Sequence, residues 1–360
     1  MTERAKFTMR DVARLSGVST STVSAVINGN VPVSSARKKK VIAAMAALDY
    51  QPDAVARSLK TGKTNVIGVV VPDITNAFYP EVVRGVEEAA QLSGYSVLLC
   101  DSREDPKTEE THLAALFSRR VEGVLLACCA NSTAHDTMVR RRFPMVFVDR
   151  LPLAAAEGTV STDNVQAGSV AAKHLLDLGH ERIAMVAGNL DLSPHRDRLE
   201  GFRKAMQECH IPIRDEYLIC GDVQIENGRV AGHRLLGLKT PPTAIMVSNN
   251  KLSLGVLEAL DEKKVVVPEQ LSIIGFDDYV WNKYFSPSLT AIAQSTHEMG
   301  KRSFQLLLQI INRRPGEELL EKHIRLAAEL RVRNSTAPPP QALTIAVDDS
   351  SSEMPQRYGI

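Results

Sequence analysis

From Asn65 onward, short apolar runs rich in Val and Ile alternate with longer segments of helical periodicity. No other feature constrains the fold as strongly. The runs Val66–Val71, Ser96–Cys100, Gly123–Ala127, Met145–Val148, Ile183–Ala187, Ala244–Val247 and Leu271–Phe276 have the length and composition of strands covered on both faces. Between them lie Tyr79–Ser93, Thr108–Arg119, Val165–Leu178, His195–Cys209 and Leu252–Leu260, which read as helices. A β-α-β-α order predicts parallel sheets with helices on both faces. About 270 residues of it exceed what one sheet usually needs, so the pattern predicts two α/β lobes. Pro72-Asp73 ends the first strand, and Gly94 and Gly179 follow helices where a C-terminal glycine belongs.

The residues before this region differ in charge. The whole chain of 360 residues has a formal net charge of +1. Residues 1–63, however, carry 11 Lys and Arg against 4 Asp and Glu, and the remainder carries 32 against 38. A small basic module on a mildly acidic body favours a polyanionic partner, because phosphate neutralisation releases counterions. Charge alone fits a solvated basic surface equally well. Cys100, Cys128, Cys129, Cys209 and Cys220 form no C-x-x-C pair and suit free thiols in a reducing cytosol. The N-terminus leads into no apolar signal region, and no apolar run is long enough to span a bilayer. These features predict a cytoplasmic protein with no membrane partner.

Residues 8–50 read as three short helices. Thr8 can cap the first, with Asp11 three residues on, and Val12 and Leu15 give it an apolar face. Ser16-Gly17-Val18 is the turn, where Gly17 tolerates a positive φ. Ser19 caps a second helix, Thr20–Ile27, whose Val23, Val26 and Ile27 face inward. Its other face presents Thr20, Ser21 and Thr22, small hydroxyls that a DNA major groove can admit. A third helix, Ser35–Leu48, supplies Val41, Ile42, Met45 and Leu48 to the core and Arg37 to Lys40 for phosphate contact. Helix, glycine turn, hydroxyl-led helix and basic helix together predict a helix-turn-helix domain.

The stretch Tyr50–Gly62 is a separate basic segment. Pro52 suits the first turn of a helix under three turns long, which is marginal without support. Leu59, between Arg57 and Lys60, could wedge into a minor-groove base step or pack against the body. Residues after Asn334 are Pro-rich and charged and read as a flexible tail.

Met9-Arg10-Asp11-Val12-Ala13, Gly17-Val18-Ser19, Thr22-Val23-Ser24, Asn28-Gly29 and the Pro52 to Leu59 segment resemble the headpiece and hinge of the lactose-repressor (LacI-type) family. The likeness continues through Ile67 to Asn76, Leu178-Gly179-His180, Arg198 to Phe202, Val265 to Glu269 and Ile274 to Asp278, in the family's order. It implies an α/β protein with a helix-turn-helix domain at 1–50 and a hinge helix at 51–63. A periplasmic-binding-protein-like body would follow. Its N-terminal lobe would span 64–163 and 294–322, its C-terminal lobe 164–293 and 323–334, and its tail 335–360.

The resemblance also implies a function. The chain would be a transcriptional regulator, a repressor, that binds palindromic operator DNA as a homodimer or a tetramer built from it. A small sugar or sugar derivative in the cleft would modulate DNA affinity. By matched position, Thr8, Ser19, Thr20, Ser21, Thr22, Ala25, Asn28, Arg37, Ala56, Leu59 and Lys60 would contact DNA. Ala25 stands where many members carry a longer polar residue, so part of the base readout would be missing. Phe78, Tyr79, Asp149, Arg198, Asn249 and Asp277 would contact the effector, Arg198 through its planar fork and Asp277 by accepting from hydroxyls. Each of these could instead be a cap or an interface residue. Three departures stand out: Asn249-Asn250 for Asn-Asp, Pro194-His195 in a ligand-facing loop, and Val223 in place of the aromatic of purine-binding members. The last favours a sugar. A transporter's solute-binding protein is the competing reading, but it leaves residues 8–60 without a purpose. No P-loop, G-x-S-x-G or H-E-x-x-H occurs, so no catalytic residue, cofactor or metal is expected.

Overall fold

A computed structural model describes residues 7–28, 32–51, 62–152, 156–314 and 316–340. The chain divides into two compact units, Met1–Asn65 and Val66–Ile360.

In the first unit, α1 (Met9–Ser16), α2 (Thr20–Asn28) and α3 (Ser35–Ala47) pack around Val12, Ala13, Val23, Val41 and Ala44. The Asp11 carboxylate accepts from the Thr8 N–H and hydroxyl at 2.9 and 2.7 Å. Those bonds fix the start of α1 and hold Asp11 below the usual carboxylate range. Gly17 leaves the helix at φ 67°, in the left-handed region. The Thr22 N–H donates to Ser19 Oγ at 3.2 Å, so Ser19 is the cap of α2. Leu15 and Ile42, expected inside, are instead 55% and 51% exposed. Each lies about 80° round its helix from the inward direction that Val12 and Ser16, or Val41 and Met45, define.

The second unit holds two sheets. β1 (Val66–Val71), β2 (Ser96–Asp101), β3 (Gly123–Leu126), β4 (Met145–Val148), β5 (Thr159–Thr162) and β11 (His323–Leu326) form the first, in the order β11-β5-β4-β3-β1-β2, all parallel. β6 (Ile183–Ala187), β7 (Leu218–Cys220), β8 (Ala244–Val247), β9 (Ser272–Phe276), β10 (Thr290–Ala293) and β12 (Glu329–Arg331) form the second, in the order β12-β10-β9-β8-β6-β7. There β12 runs antiparallel to β10 and the rest are parallel.

Helices cover both faces of each sheet. On the first, α4 (Phe78–Leu92) and α11 (Thr296–Asn312) pack one face around Val82, Val86, Met299 and Phe304. On its other face, α5 (Pro106–Ser118) and α6 (Asp136–Arg140) contribute Leu113, Leu116 and Met138. On the second sheet, α7 (Asn164–Asp177) and α8 (Ser193–Glu208) cover one face, and α9 (Ile225–Leu236) and α10 (Asn250–Glu262) the other. The chain crosses between lobes after β5, after β10 and between β11 and β12.

Two boundaries expected from the sequence need correction. His323–Leu326 pairs with β5 in the first sheet and so belongs to the N-terminal lobe, not the C-terminal one. The tail does not begin at 335. Ser335 is buried; its carbonyl accepts the Ile273 N–H, its hydroxyl accepts the Thr290 N–H and donates to the Ile273 carbonyl, and Ala337 bonds with Ser272 and His180. Backbone hydrogen bonds of this kind anchor the described residues after β12 to the second lobe.

Three helix pairs share one device. A Cβ on Gly85 would meet the His297 carbonyl at 2.1 Å, and one on Gly300 the Val82 carbonyl at 1.9 Å. Gly168 and Gly201 mirror this between α7 and α8, and Gly228 and Gly255 between α9 and α10. The missing side chains let the backbones of each pair touch. Gly255→Ala should therefore cost about 2–3 kcal/mol in urea unfolding, since a rigid carbonyl cannot yield. Gly221→Ala, whose Cβ would meet nothing nearer than 4.0 Å, should change stability by less than about 0.5 kcal/mol. Equal effects would contradict the close-contact reading.

Candidate functional site

In parallel sheets, the loops beyond the carboxyl ends of the strands gather at one edge and form the crevice where ligands bind. Here both sheets point that edge at a common cleft of about 350 Å³. Loops after β1 (Asp73, Asn76), β2 (Glu104), β3 (Ala130) and β4 (Asp149, Arg150) line one wall. Residues that follow β6 (Asn189, Leu192, Pro194, His195), β7 (Asp222 to Gln224), β8 (Asn249, Lys251) and β9 (Asp277) line the other. All six candidate effector residues, Phe78, Tyr79, Asp149, Arg198, Asn249 and Asp277, face this one space.

Arg198 is its centre. The side chain projects from α8, is 3% exposed, and stacks 4.2 Å from the Phe276 ring centroid. Its Nε donates to Asn164 Oδ1 at 2.8 Å and its Nη1 to the Ser248 carbonyl at 2.6 Å. Burial pulls the guanidinium below the ordinary arginine value, against the pull of Asp277 and Asp149. The two acids are held on backbone in the left-handed region, at φ 62° for Asp149 and 71° for Asp277. Such positions are uncommon outside glycine and aim both side chains from tight turns. Burial raises both carboxyls above the usual range, and Arg198 opposes that rise. Tyr79 Oη donates to Asp149 Oδ2 at 3.2 Å, and Gln294 Nε2 donates to Asp277 Oδ1 at 2.6 Å. Gln294 Oε1 in turn accepts from Thr162 Oγ1 at 2.6 Å, so Asp277 is linked to two of the interlobe crossovers.

Further groups complete the walls. Arg150 binds Glu104 through two bonds of 2.7 Å. Burial opposes its charge, yet Tyr79 and Glu104 hold it above the ordinary arginine value. His195 is buried on Ser248 Oγ at 3.1 Å, and burial, reinforced by Arg198, keeps it neutral. Asn249 caps α10, its Oδ1 accepting the Lys251 N–H at 2.8 Å, so the capping role is realised alongside its place in the cleft. The lobes also touch directly. Lys251 pairs with Asp73, Asn250 Nδ2 donates to Asn76 Oδ1 at 3.1 Å, and the Leu151 N–H donates to Ser193 Oγ at 2.9 Å. Arg150, Lys251, Asp73 and Gln294 were missed from sequence; their signal was position, each falling within a few residues of a strand's carboxyl end.

In the helical unit, Thr20 and Ser21 are exposed at the start of α2, and Thr22 and Ala25 are half-buried. Ser19 Oγ lies 2.8 Å from both Ser21 Oγ and Thr22 Oγ1, so these hydroxyls form a local network. Thr8 stands at the cap of α1, and Arg37 to Lys40 are all exposed at the start of α3. The side chain of Asn28, and Ala56, Leu59 and Lys60, lie outside the described residues. No described helix is long and apolar enough to cross a membrane.

Comparison with known proteins joins the two units. Residues 8–53 match the family model described as bacterial regulatory proteins, lacI family, and residues 172–336 that of a periplasmic binding protein-like domain. The ribose operon repressor of Escherichia coli (strain K12) is 37% identical over 330 residues, 91% of this chain and 99% of its own. The chain belongs to the LacI family of bacterial regulators. The HTH-type transcriptional repressor PurR of Photobacterium profundum is 36% identical over 330 residues, covering 91% of this chain and 98% of the relative. A lac repressor dimer solved with operator and the anti-inducer ONPF superposes with a TM-score of 0.82 at 27% identity, over 92% of this chain and 100% of that one. The helical unit of this LacI-family chain is thus its helix-turn-helix DNA-binding domain.

Because burial raises the Asp277 pKa in the folded chain, its contribution is present below the unfolded value and lost as pH rises through the folded one. Asp277→Asn removes that loss. In denaturation without ligand, the variant should gain stability relative to the parent as pH rises above the ordinary aspartate value of about 4. A constant difference across that range would contradict the desolvation assigned to Asp277.

Proposed function

We propose that this LacI-family protein is an effector-responsive repressor: a homodimer that binds a palindromic operator, with a small uncharged sugar in the cleft changing its DNA affinity. The observation that carries the reading is the desolvated cluster of Asp149, Arg198 and Asp277. Two carboxylates and one guanidinium lining one cleft offer acceptors and donors of the kinds that sugar hydroxyls pair with. Buried charges are costly unless partnered, and a polyol's hydroxyls complete the set without adding charge.

The lining also discriminates. Asp73, Glu104, Asp149, Asp222 and Asp277 outnumber Arg150, Arg198 and Lys251, and His195 is neutral. A phosphate would meet an excess of negative charge. Val223 contributes no ring for a purine to stack on. The ribose operon repressor named among the relatives supports a pentose.

DNA contact is assigned to Thr8, Ser19, Thr20, Ser21, Thr22, Ala25, Asn28 and Arg37 in the headpiece and to Ala56, Leu59 and Lys60 in the hinge. The hydroxyls of α2 would enter the major groove, Arg37 would meet phosphate, and Leu59 would wedge into the minor groove. A two-fold pairing suits the exposed apolar residues of the body. In the first lobe, Leu92 is 90% exposed beside the edge strand β2 with its Leu98 and Leu99. In the second, Val280, Trp281 and Tyr284 are exposed together. The transporter reading is disfavoured by the helix-turn-helix match over residues 8–53.

An operator selected from random DNA and read by fluorescence anisotropy tests this reading. Leu59→Ala should weaken operator binding at least tenfold while nonspecific binding changes by less than about twofold, because the wedge is lost and the charge is kept. An equal loss on both would reject the hinge assignment. D-ribose should shift operator affinity of the parent protein, and Asp277→Ala should abolish the shift while leaving sugar-free headpiece binding to nonspecific DNA intact. A full response in that variant would reject the cleft.

A further inference from the structure

Glu109 has no part in the cleft chemistry above, yet it is fully buried in the first turn of α5. It makes no ion pair among the described residues. Its Oε2 accepts the Cys129 N–H at 2.7 Å and its Oε1 the Ser132 hydroxyl at 2.5 Å. Burying a carboxylate without a cation is expensive, and these short charge-assisted bonds are what offsets it. Ser132 Oγ also accepts the Ala134 N–H at 3.3 Å. One side chain thereby fixes the turn that follows β3.

That turn reaches the cleft. Ala130 lines it. Asn131, at φ 55°, sits in the left-handed region and is exposed. Its Nδ2 donates to Asp191 Oδ2 of the opposite lobe at 2.8 Å. Asn189 Oδ1 accepts the Asp191 N–H at 2.9 Å, and Asn189 lines the cleft from that side. Glu109 is thereby connected through the backbone of residues 129–132 to a hydrogen bond that spans the two lobes beside the cleft.

We propose that Glu109 is a positioning residue for ligand retention: its carboxylate holds the 129–132 turn so that Asn131 grips Asp191 and closes that side of the cleft. The proposal rests on the reading of the cleft as a ligand site. Glu109→Gln can keep both bonds, its Oε1 accepting from Cys129 and its Nε2 donating to Ser132 Oγ, whereas Glu109→Met can keep neither.

The test combines hydrogen exchange on the sugar-free chain with calorimetry using D-ribose. Glu109→Met should speed exchange of the amides of residues 129–134 at least tenfold, with Glu109→Gln close to the parent. Glu109→Met and the surface variant Asp191→Ala should each weaken D-ribose binding about fivefold, and the double variant no more than the worse single one, since both act through one contact. Unchanged exchange in Glu109→Met, or independent losses that multiply in the double variant, would overturn the proposal. If the parent chain takes up no D-ribose, the cleft reading fails, and the exchange rates alone still decide whether Glu109 holds the turn.

Discussion

The Arg198 guanidinium stacks on Phe276, donates to Asn164 and Ser248, and faces two buried carboxylates. Its partners come from α7, β9 and the loop after β8, and its field reaches Asp149 in the other lobe. A cation so placed must be satisfied from several directions at once, which fixes where those loops lie. The parallel topology supplies the loops, since only parallel strands deliver all their carboxyl ends to one edge. The glycine contacts between α4 and α11, α7 and α8, and α9 and α10 hold the helices close enough to keep that edge in register. Fold and cleft are therefore one arrangement.

Much of this was legible in the sequence, for reasons that differ by residue. Strands such as Val66–Val71 and Ile183–Ala187 are continuous apolar runs buried on both faces, and that pattern has few other readings. Thr159–Thr162 was not legible. It is buried too, but it reads Thr-Val-Ser-Thr, whose hydroxyls look like a loop until neighbouring strands satisfy them. Leu218–Cys220, His323–Leu326 and Glu329–Arg331 are edge strands of three or four residues, too short to show a period. Leu15 and Ile42 were misread because apolarity alone does not say which side of a short helix is covered.

The cleft divides in the same way. Asp149, Asn249 and Asp277 announce themselves by standing directly after strands. Gln294 also directly follows a strand, β10, and Lys251 lies four residues past β8, but what each one meets depends on which loops the topology brings together. Gln294 joins Asp277 to Thr162 and so ties a cleft acid to the interlobe crossovers. Asp73 with Lys251, and Asn76 with Asn250, add contacts that exist only while the lobes stay together. An effector must favour one lobe arrangement over another, and moving such an equilibrium from 1:99 to 99:1 takes about 5.5 kcal/mol of differential affinity. Desolvated charges that gain or lose partners on closure are a source of that size.

The proposed ligand for this charge cluster is an uncharged, hydroxyl-rich one. Calorimetric titration of the full chain with D-ribose, D-ribose 5-phosphate and a purine base tests it most directly. The neutral sugar should bind, with the phosphate ester at least about tenfold weaker, because it adds negative charge to a cleft already rich in carboxylates. Tighter binding of the phosphate ester or of the purine would contradict it.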